Sequence, residues 1–335
     1  MPASSEAIAG EDRRPEISVI IPTQNRARSL EVTLDHLAAA DRDGIRTEII
    51  VVDNAGHDNT REVADSFEHR MPVRYLYEPT LGVFGKSHAL NRALDAGGLG
   101  DIIVVLDDDM SPEPGWFKGV LEICRRWPDH DLFTGVTNIV WPSPEVPDWA
   151  KKPSSQNGVF SSGSFGDADA PLKNGQWFLG GHFWFRSRAL AGGMRFKDIW
   201  LTEPNFQLDL IERGFRGMAG PDAIAGHRIQ PALLQREVAL GRARKAGICK
   251  AQVRLQPYRR TVRQARLFHE HPWLARLFCA LNGFKWGLLY LASYLYPSAG
   301  SRFERRLVAL ERMTLALEYL RVARQAPDYS LRKRD

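Results

Sequence analysis

A chain of 335 residues that is 44% hydrophobic and 25% charged, with a formal net charge of +5, has the size and composition of an ordinary folded protein with a full core. Its three widely separated cysteines, Cys124, Cys249 and Cys279, exclude a disulfide framework or a zinc cluster and suit a reducing, cytoplasmic compartment. The charge is uneven: residues 1–227 carry 23 Lys/Arg against 33 Asp/Glu and residues 228–335 carry 22 against 7, which calls for an anionic partner and, given the acidic front and no interleaved aromatic and basic run, favours a membrane surface over nucleic acid.

The opening MPASSEAIAGEDRRP lacks the apolar core of a signal peptide, and residues 1–15 read as a disordered tail. EISVIIPTQNR (16–26) predicts a buried strand and a loop, and SLEVTLDHLAAA (29–40) an amphipathic helix capped by Ser29. TEIIVVDNAG (47–56) is a second strand ending in Asp53 and Asn54, followed by a helix over 59–70; VRYLYEP (73–79) is a third strand and GKSHALNRALDAG (85–97) a third helix. DIIVVLDDDMSP (101–112) is a fourth strand that ends in Asp107, Asp108 and Asp109. Alternation of strand and helix means an α/β fold, a Rossmann-like and mostly parallel sheet flanked by helices.

Ligands bind at the carboxyl edge of such sheets. Side-chain alternation predicts that Asp107 and Asp109 point to one side and Asp108 to the other. Two convergent carboxylates repel unless a cation lies between them, and hard oxygen ligands suit Mg²⁺ or Mn²⁺. The other reading of the same residues is a solvated acidic turn ahead of Pro112.

Beyond Ser111 the rhythm changes to a helix over 115–127, a strand over 131–141, a long loop over 142–176 rich in Pro, Ser, Gly and Asp, a strand within 177–190, and a helix over 205–215 stopped by Gly214. Residues 231–335 read as mostly helical and basic. Within them LFCALNGFKWGLLYLASYLY (277–296) is long enough to span a bilayer, but Lys285 and two glycines count against spanning. An interfacial helix on an anionic membrane, a core helix and a homodimer helix stay open. The predicted organisation is a tail (1–15), an α/β domain (16–230) and a helical C-terminal appendage (231–335).

The order of ISVIIPTQNR, IIVVDN, GKSHALNRAL, VVLDDDMSPEPGW and a late acid in WLTEPNFQLDLIERGF resembles the family 2 glycosyltransferases, inverting enzymes of the GT-A fold that use nucleotide sugars. The resemblance runs from Glu16 to His227. It implies that Asp107 and Asp109 are the DXD pair, with Asp109 a direct ligand of Mg²⁺ or Mn²⁺, Asp107 touching ribose or metal, and Asp108 orienting them within the nucleotide-sugar site. It further implies that Pro22, Thr23, Asn25 and Arg26 meet nucleotide phosphate or base, that Asp53 accepts a hydrogen bond from the base, and that Lys86 and Asn91 serve the phosphates. Glu203 falls on the position of the acid that deprotonates the acceptor. Here the motif reads TEPN, with Thr202 and Asn205 where relatives carry further acids, and Asp209 is the spare candidate. His227 stands where a histidine completes the metal or diphosphate site, and Trp141, Trp149, Trp177, Trp184 and Trp200 flank the predicted acceptor side, most of them as core residues with one or two lining the site.

The activity implied is transfer of one sugar from a nucleoside diphosphate sugar, a UDP-sugar first, to a hydroxyl of a glycan, lipid-linked or small-molecule acceptor. Neither the Gln-x-x-Arg-Trp motif nor the multiple spans of processive synthases are in the sequence. The rivals are a sugar-nucleotide pyrophosphorylase, which follows its first strand with GxGTR rather than IPTQNR, and a non-catalytic nucleotide-sugar or polysaccharide binder, which the departed TEPN motif would suit.

Overall fold

The computed structural model describes residues 14–82, 85–163, 165–173, 175–255 and 270–325. Most of the predicted tail therefore lies outside the described residues. The chain divides into two compact units: Met1–Asn138 with Ser164–Leu172 and Trp177–Arg228, and Ile139–Gly163 with Lys173–Gln176 and Ile229–Asp335.

The first unit is built on the strands β1 (Ile17–Thr23), β2 (Thr47–Asn54), β3 (Val73–Glu78), β4 (Ile102–Leu106), β5 (Met110–Pro112), β6 (Leu132–Val140), β7 (Ala170–Pro171), β8 (His182–Arg186) and β9 (Gly217–Arg228). The sheet order is β3-β2-β1-β4-β8-β6-β9-β5, with β7 on β9. β1, β2, β3 and β4 pair in parallel, as their β-branched runs predict, so that Thr23 lies beside Asp53 and their carboxyl ends share one edge. From β8 onward the pairing is antiparallel: β4 with β8, β8 with β6, and β9 with β5 and β7.

Helices α1 (Ala27–Ala39), α2 (Thr60–Ser66), α3 (Gly85–Ala96), α4 (Trp116–Arg126) and α6 (Thr202–Glu212) belong to this unit. The strand period of two sorts the core between the faces. Ile17, Val19 and Ile21 of β1 with Ile102, Val104 and Leu106 of β4 pack among Leu30 and Leu34 of α1 and Phe117 and Val120 of α4. Ile20, Ile103 and Val105 pack among Leu90 and Leu94 of α3 and Phe206 and Leu210 of α6. Ser29 does not cap α1, which begins earlier: Asp58 Oδ2 accepts from the Ala27 amide at 2.8 Å, and Ser29 is freed to bind the Asp108 carbonyl at 2.9 Å. α6 begins three residues before the helix expected over 205–215, which places Glu203 within its first turn.

The second unit holds α5 (Pro153–Gly158), α7 (Arg236–Arg254), α8 (Pro272–Ala292) and α9 (Ala299–Gln325). The loop expected over 142–176 contributes α5 here and β7 to the sheet. Residues 139–163, expected within the α/β domain, belong to the helical unit, because Trp149 and Phe160 pack with Ala239, Ala243, Phe303 and Leu307. Trp149 and Trp184 are core residues, 2% and 0% exposed, as expected of most of the five tryptophans, and Trp141 packs edge-on against Phe160. Trp200 stays exposed and Trp177 partly so. Among the described residues no helix is long and apolar enough to cross a membrane.

His182 shows how tightly the sheet is packed. The Trp116 indole donates to its Nε2 at 2.8 Å and Thr137 Oγ1 lies 3.0 Å from Nδ1, so Nδ1 carries the proton of a neutral ring. Burial lowers its pKa to about 3. The unfolded group titrates near 6.5, so its contribution to stability is complete above that pH and falls by about 1.4 kcal/mol per unit as pH drops from there toward 3. Denaturant unfolding from about pH 7 to about pH 4 should show a shallower acid loss in His182→Gln than in the wild type.

Candidate active site

The three aspartates leave the carboxyl end of β4 and are met by Lys86, Arg26 and His227. Asp107 continues the strand alternation onto the face of α3 and α6, where Lys86 Nζ lies 2.5 Å from Oδ1. Asp108 continues it onto the α1 face, where Thr23 Oγ1 donates to Oδ2 at 2.7 Å and Arg26 Nη1 reaches Oδ1 at 2.6 Å. At that point the strand ends: the Met110 amide donates to the Asp107 carbonyl at 3.2 Å, closing a turn. Asp109 takes partners of its own. Arg26 Nη2 donates to its Oδ2 at 2.8 Å, and His227 Nε2 faces its Oδ1 at 3.7 Å.

Charge and burial set the protonation of this turn. Burial pushes Asp108 up to about 6 against the pull of Arg26 and Thr23. Burial acts the same way on Asp109, but His227 and Arg26 outweigh it and hold that carboxyl below the usual range. Burial also raises Asp107, aided by the negative charges of Asp109 and Glu203. For Lys86, burial is overcome by Asp107 and Glu203, which raise its pKa and keep it cationic.

Lys86 joins two carboxylates. Its ammonium pairs with Asp107 and with Oε1 of Glu203, a buried residue of α6. Thr202 and Asn205, which replace the expected acids, build the start of that helix instead. Thr202 Oγ1 donates to the Lys197 carbonyl at 2.8 Å, and Asn205 Nδ2 donates to the carbonyls of Trp200 and Leu201 at 3.1 Å. Leu201 is in the left-handed region at φ 55°, a conformation that turns the chain into α6 just ahead of Glu203.

Two features are not apparent from the sequence. Gly180 and Gly181, before β8, form a cradle for both acids: a Cβ on Gly180 would stand 2.9 Å from Glu203 Oε1, and one on Gly181 would overlap the Asp107 carboxylate. The Gly-Gly pair ahead of an aromatic strand was the available signal. The second is Arg228, at the end of β9. Its guanidinium donates to the carbonyls of Met110, Ser29 and Asp108 and to the hydroxyls of Ser111 and Thr33, binding the acidic turn to α1. Nothing in its sequence context distinguishes it from a surface arginine.

Among the other expected residues, Asp53 is 3% exposed at the end of β2 and ties down the turn that follows: its Oδ1 accepts from the Gly56 amide and its Oδ2 from the Tyr75 hydroxyl, each at 2.9 Å. Burial, then Asp53, raises the pKa of Tyr75. Pro22 pairs in register with Val52, and Asn25, left-handed at φ 52°, accepts from the His57 amide at 2.7 Å. Asn91 is not turned to the cluster; its carboxamide donates to the Phe196 carbonyl at 2.8 Å and accepts from the Phe196 amide at 2.9 Å. Asp209 is paired with Lys197 at 2.8 Å.

Among the described residues no three His, Cys, Asp or Glu side chains are gathered as a metal cluster. Asp107 is engaged by Lys86, so the expected set of Asp107, Asp109 and His227 is not assembled. Asp109 Oδ1 is nonetheless buried without a hydrogen-bond partner and faces His227, a carboxylate and imidazole pair that fits a divalent cation completing its shell from a ligand.

The family model for glycosyl transferase family 2 matches residues 18–191, more than half of the chain. Chondroitin synthase of Escherichia coli is 30% identical over 107 residues, which are 32% of this chain and 15% of that enzyme, so the chain spans a small part of that relative's length. The mannosyltransferase PcManGT of Pyrobaculum calidifontis, solved with GDP-Man and Mn²⁺, superposes with a TM-score of 0.60 at 20% identity over 92% of this chain and 87% of its own. Staphylococcus aureus TarS 1–349, solved with UDP, gives 0.52 at 16% identity over 94% and 93%. Both likenesses are of fold, and that fold is GT-A.

Gly181→Ala should displace the Asp107 carboxylate from Lys86 and lower nucleotide-sugar turnover by about 10²-fold, with circular dichroism unchanged. Gly115→Ala, where nothing stands within 4 Å, should leave turnover at the wild-type rate.

Proposed function

The chain belongs to glycosyl transferase family 2, and from that membership we propose that it transfers one sugar from a nucleoside diphosphate donor to an acceptor hydroxyl, with inversion at the anomeric carbon. The observation that carries this reading is the Asp107–Lys86–Glu203 bridge. Displacement at an anomeric carbon needs positive charge at the departing diphosphate and a base on the incoming hydroxyl. One ammonium within ion-pair reach of both acids brings the donor edge of the sheet and the proposed base together.

In this reading Glu203 takes the acceptor proton. The Lys86 ammonium pairs with its carboxyl group, and the Gly180–Gly181 cradle leaves room for it beside Asp107. When the donor binds, its diphosphate competes with the two carboxylates for Lys86. Asp109 and His227 would hold Mg²⁺ or Mn²⁺, and that cation supplies charge stabilisation to the departing diphosphate. Asp108 and Arg26 keep the turn rigid. Asp53, its carboxylate fixed by Gly56 and Tyr75, offers its remaining lone pairs to the base of the nucleotide. Mn²⁺ with GDP-Man in the Pyrobaculum protein and UDP in TarS support this class of donor and metal. A UDP-sugar is the first donor to test and GDP-mannose the second.

Glu203→Gln should keep donor affinity and lose at least about 10²-fold in turnover, the usual worth of a positioned base. Initial rates with a donor panel check it, and a normal rate in Glu203→Gln beside a dead Asp209→Asn would move the role to Asp209. Donor binding without turnover in the wild type would leave a nucleotide-sugar binder.

Asp109→Ala, or chelation of the wild type, should abolish turnover and remove the extra thermal stabilisation that Mn²⁺ gives the donor complex. Full activity in chelator would end the metal assignment.

A further inference from the structure

We propose that the outer face of α8 in the second unit is a docking surface for an anionic lipid leaflet. The proposal stands apart from the catalytic reading, since its evidence is the packing of the helix itself.

α8 is inverted with respect to a helix in water. Its fully buried residues are small: Ala275, Cys279 and Gly283, the last against Ala316 and Leu317 of α9, and the half-buried Gly287 lies against Met313. Its outward residues are large and apolar, with Trp273 66%, Phe278 60%, Leu281 60%, Phe284 69% and Leu291 65% exposed. A helix packed on a protein in water turns its apolar stripe inward. Small residues within and large apolar ones without is the arrangement of helices whose outer medium is lipid.

A second copy of the chain would also cover apolar surface, but two observations favour a leaflet. At 100° per residue the exposed apolar side chains cover an arc of about 160°, wider than the seam of a two-helix contact. Lys285 projects within that arc, exposed and 5.7 Å from the Trp286 ring. Between two copies its charge would be desolvated against like charge, whereas at a leaflet its stem lies along the acyl chains and its ammonium reaches the headgroups. Charge points the same way: α8 carries Arg276 and Lys285 and no acid, within a region of 22 Lys/Arg against 7 Asp/Glu, so copies repel and anionic headgroups attract.

The far end of the helix adds interfacial anchors. The Arg306 guanidinium lies 3.9 Å over the ring of Tyr294, and that of Arg305 lies 3.9 Å over Tyr296. Cationic and aromatic pairs of this kind suit headgroup depth. Because no described helix meets the requirements for crossing, the contact is one of a helix lying in the plane of the leaflet.

Flotation of the full chain with vesicles of phosphatidylcholine alone, and of phosphatidylcholine with phosphatidylglycerol, at low and high salt, tests the proposal. Binding to the anionic vesicles should weaken at high salt and on neutral lipid. The double substitution Leu281→Ser and Phe284→Ser should weaken it at least about tenfold. Both side chains are more than half exposed, so the melting temperature should not move. No binding to anionic vesicles, or equal binding by wild type and double variant, would overturn the proposal. So would self-association in light scattering that the double variant abolishes, since the face would then be a contact between copies.

Discussion

The site depends on finding counter-charge for three adjacent carboxylates. Ionised side by side at the end of a buried strand, Asp107, Asp108 and Asp109 would repel one another in a medium that screens poorly. The fold answers by sending them in three directions. Lys86 of α3 takes Asp107, Arg26 takes Asp108 and shares Asp109, and His227 closes on Asp109 from β9. Each partner comes from a different part of the chain, so the acidic turn exists only in the folded protein. Arg228 then locks the turn's carbonyls to α1.

The same arrangement explains how an acid from α6 comes close to the carboxyl edge of the sheet. Lys86 has charge enough for two carboxylates, and the paired glycines remove the side chains that would keep Glu203 and Asp107 apart. The left-handed Leu201 turns the chain so that Glu203 enters the first turn of α6, and Thr202 and Asn205 satisfy carbonyls left open by that turn. The TEPN departure therefore reads as a change in how the helix start is held, with the central acid kept in place.

The second unit obeys a different rule. Its core is an aromatic and alanine-rich contact among Trp149, Phe160, Phe303, Ala239 and Ala243, and α7 approaches α9 so closely that a side chain on Gly247 would overlap Thr314. Small residues at helix contacts leave the large apolar ones of α8 facing outward, so the exposed face is a consequence of the way this unit packs.

By itself the sequence determined the elements whose signal is local. The β-branched runs of β1, β2 and β4 and the apolar spacing of α1, α3 and α4 specify the parallel half of the sheet and its carboxyl edge, because strand and helix periods act over a few residues. The acids were legible for the same reason, since a strand carries the residues at its carboxyl end to the edge of the sheet. Contacts distant along the chain were not legible. The pairing of Asp109 with Arg26 and His227, the use of Asn91 to hold Phe196, the capping of α1 by Asp58 in place of Ser29, and the transfer of residues 139–163 to the helical unit were decided by tertiary structure alone. In each a polar group or an aromatic ring takes the partner that burial makes available, and that partner lies on another element.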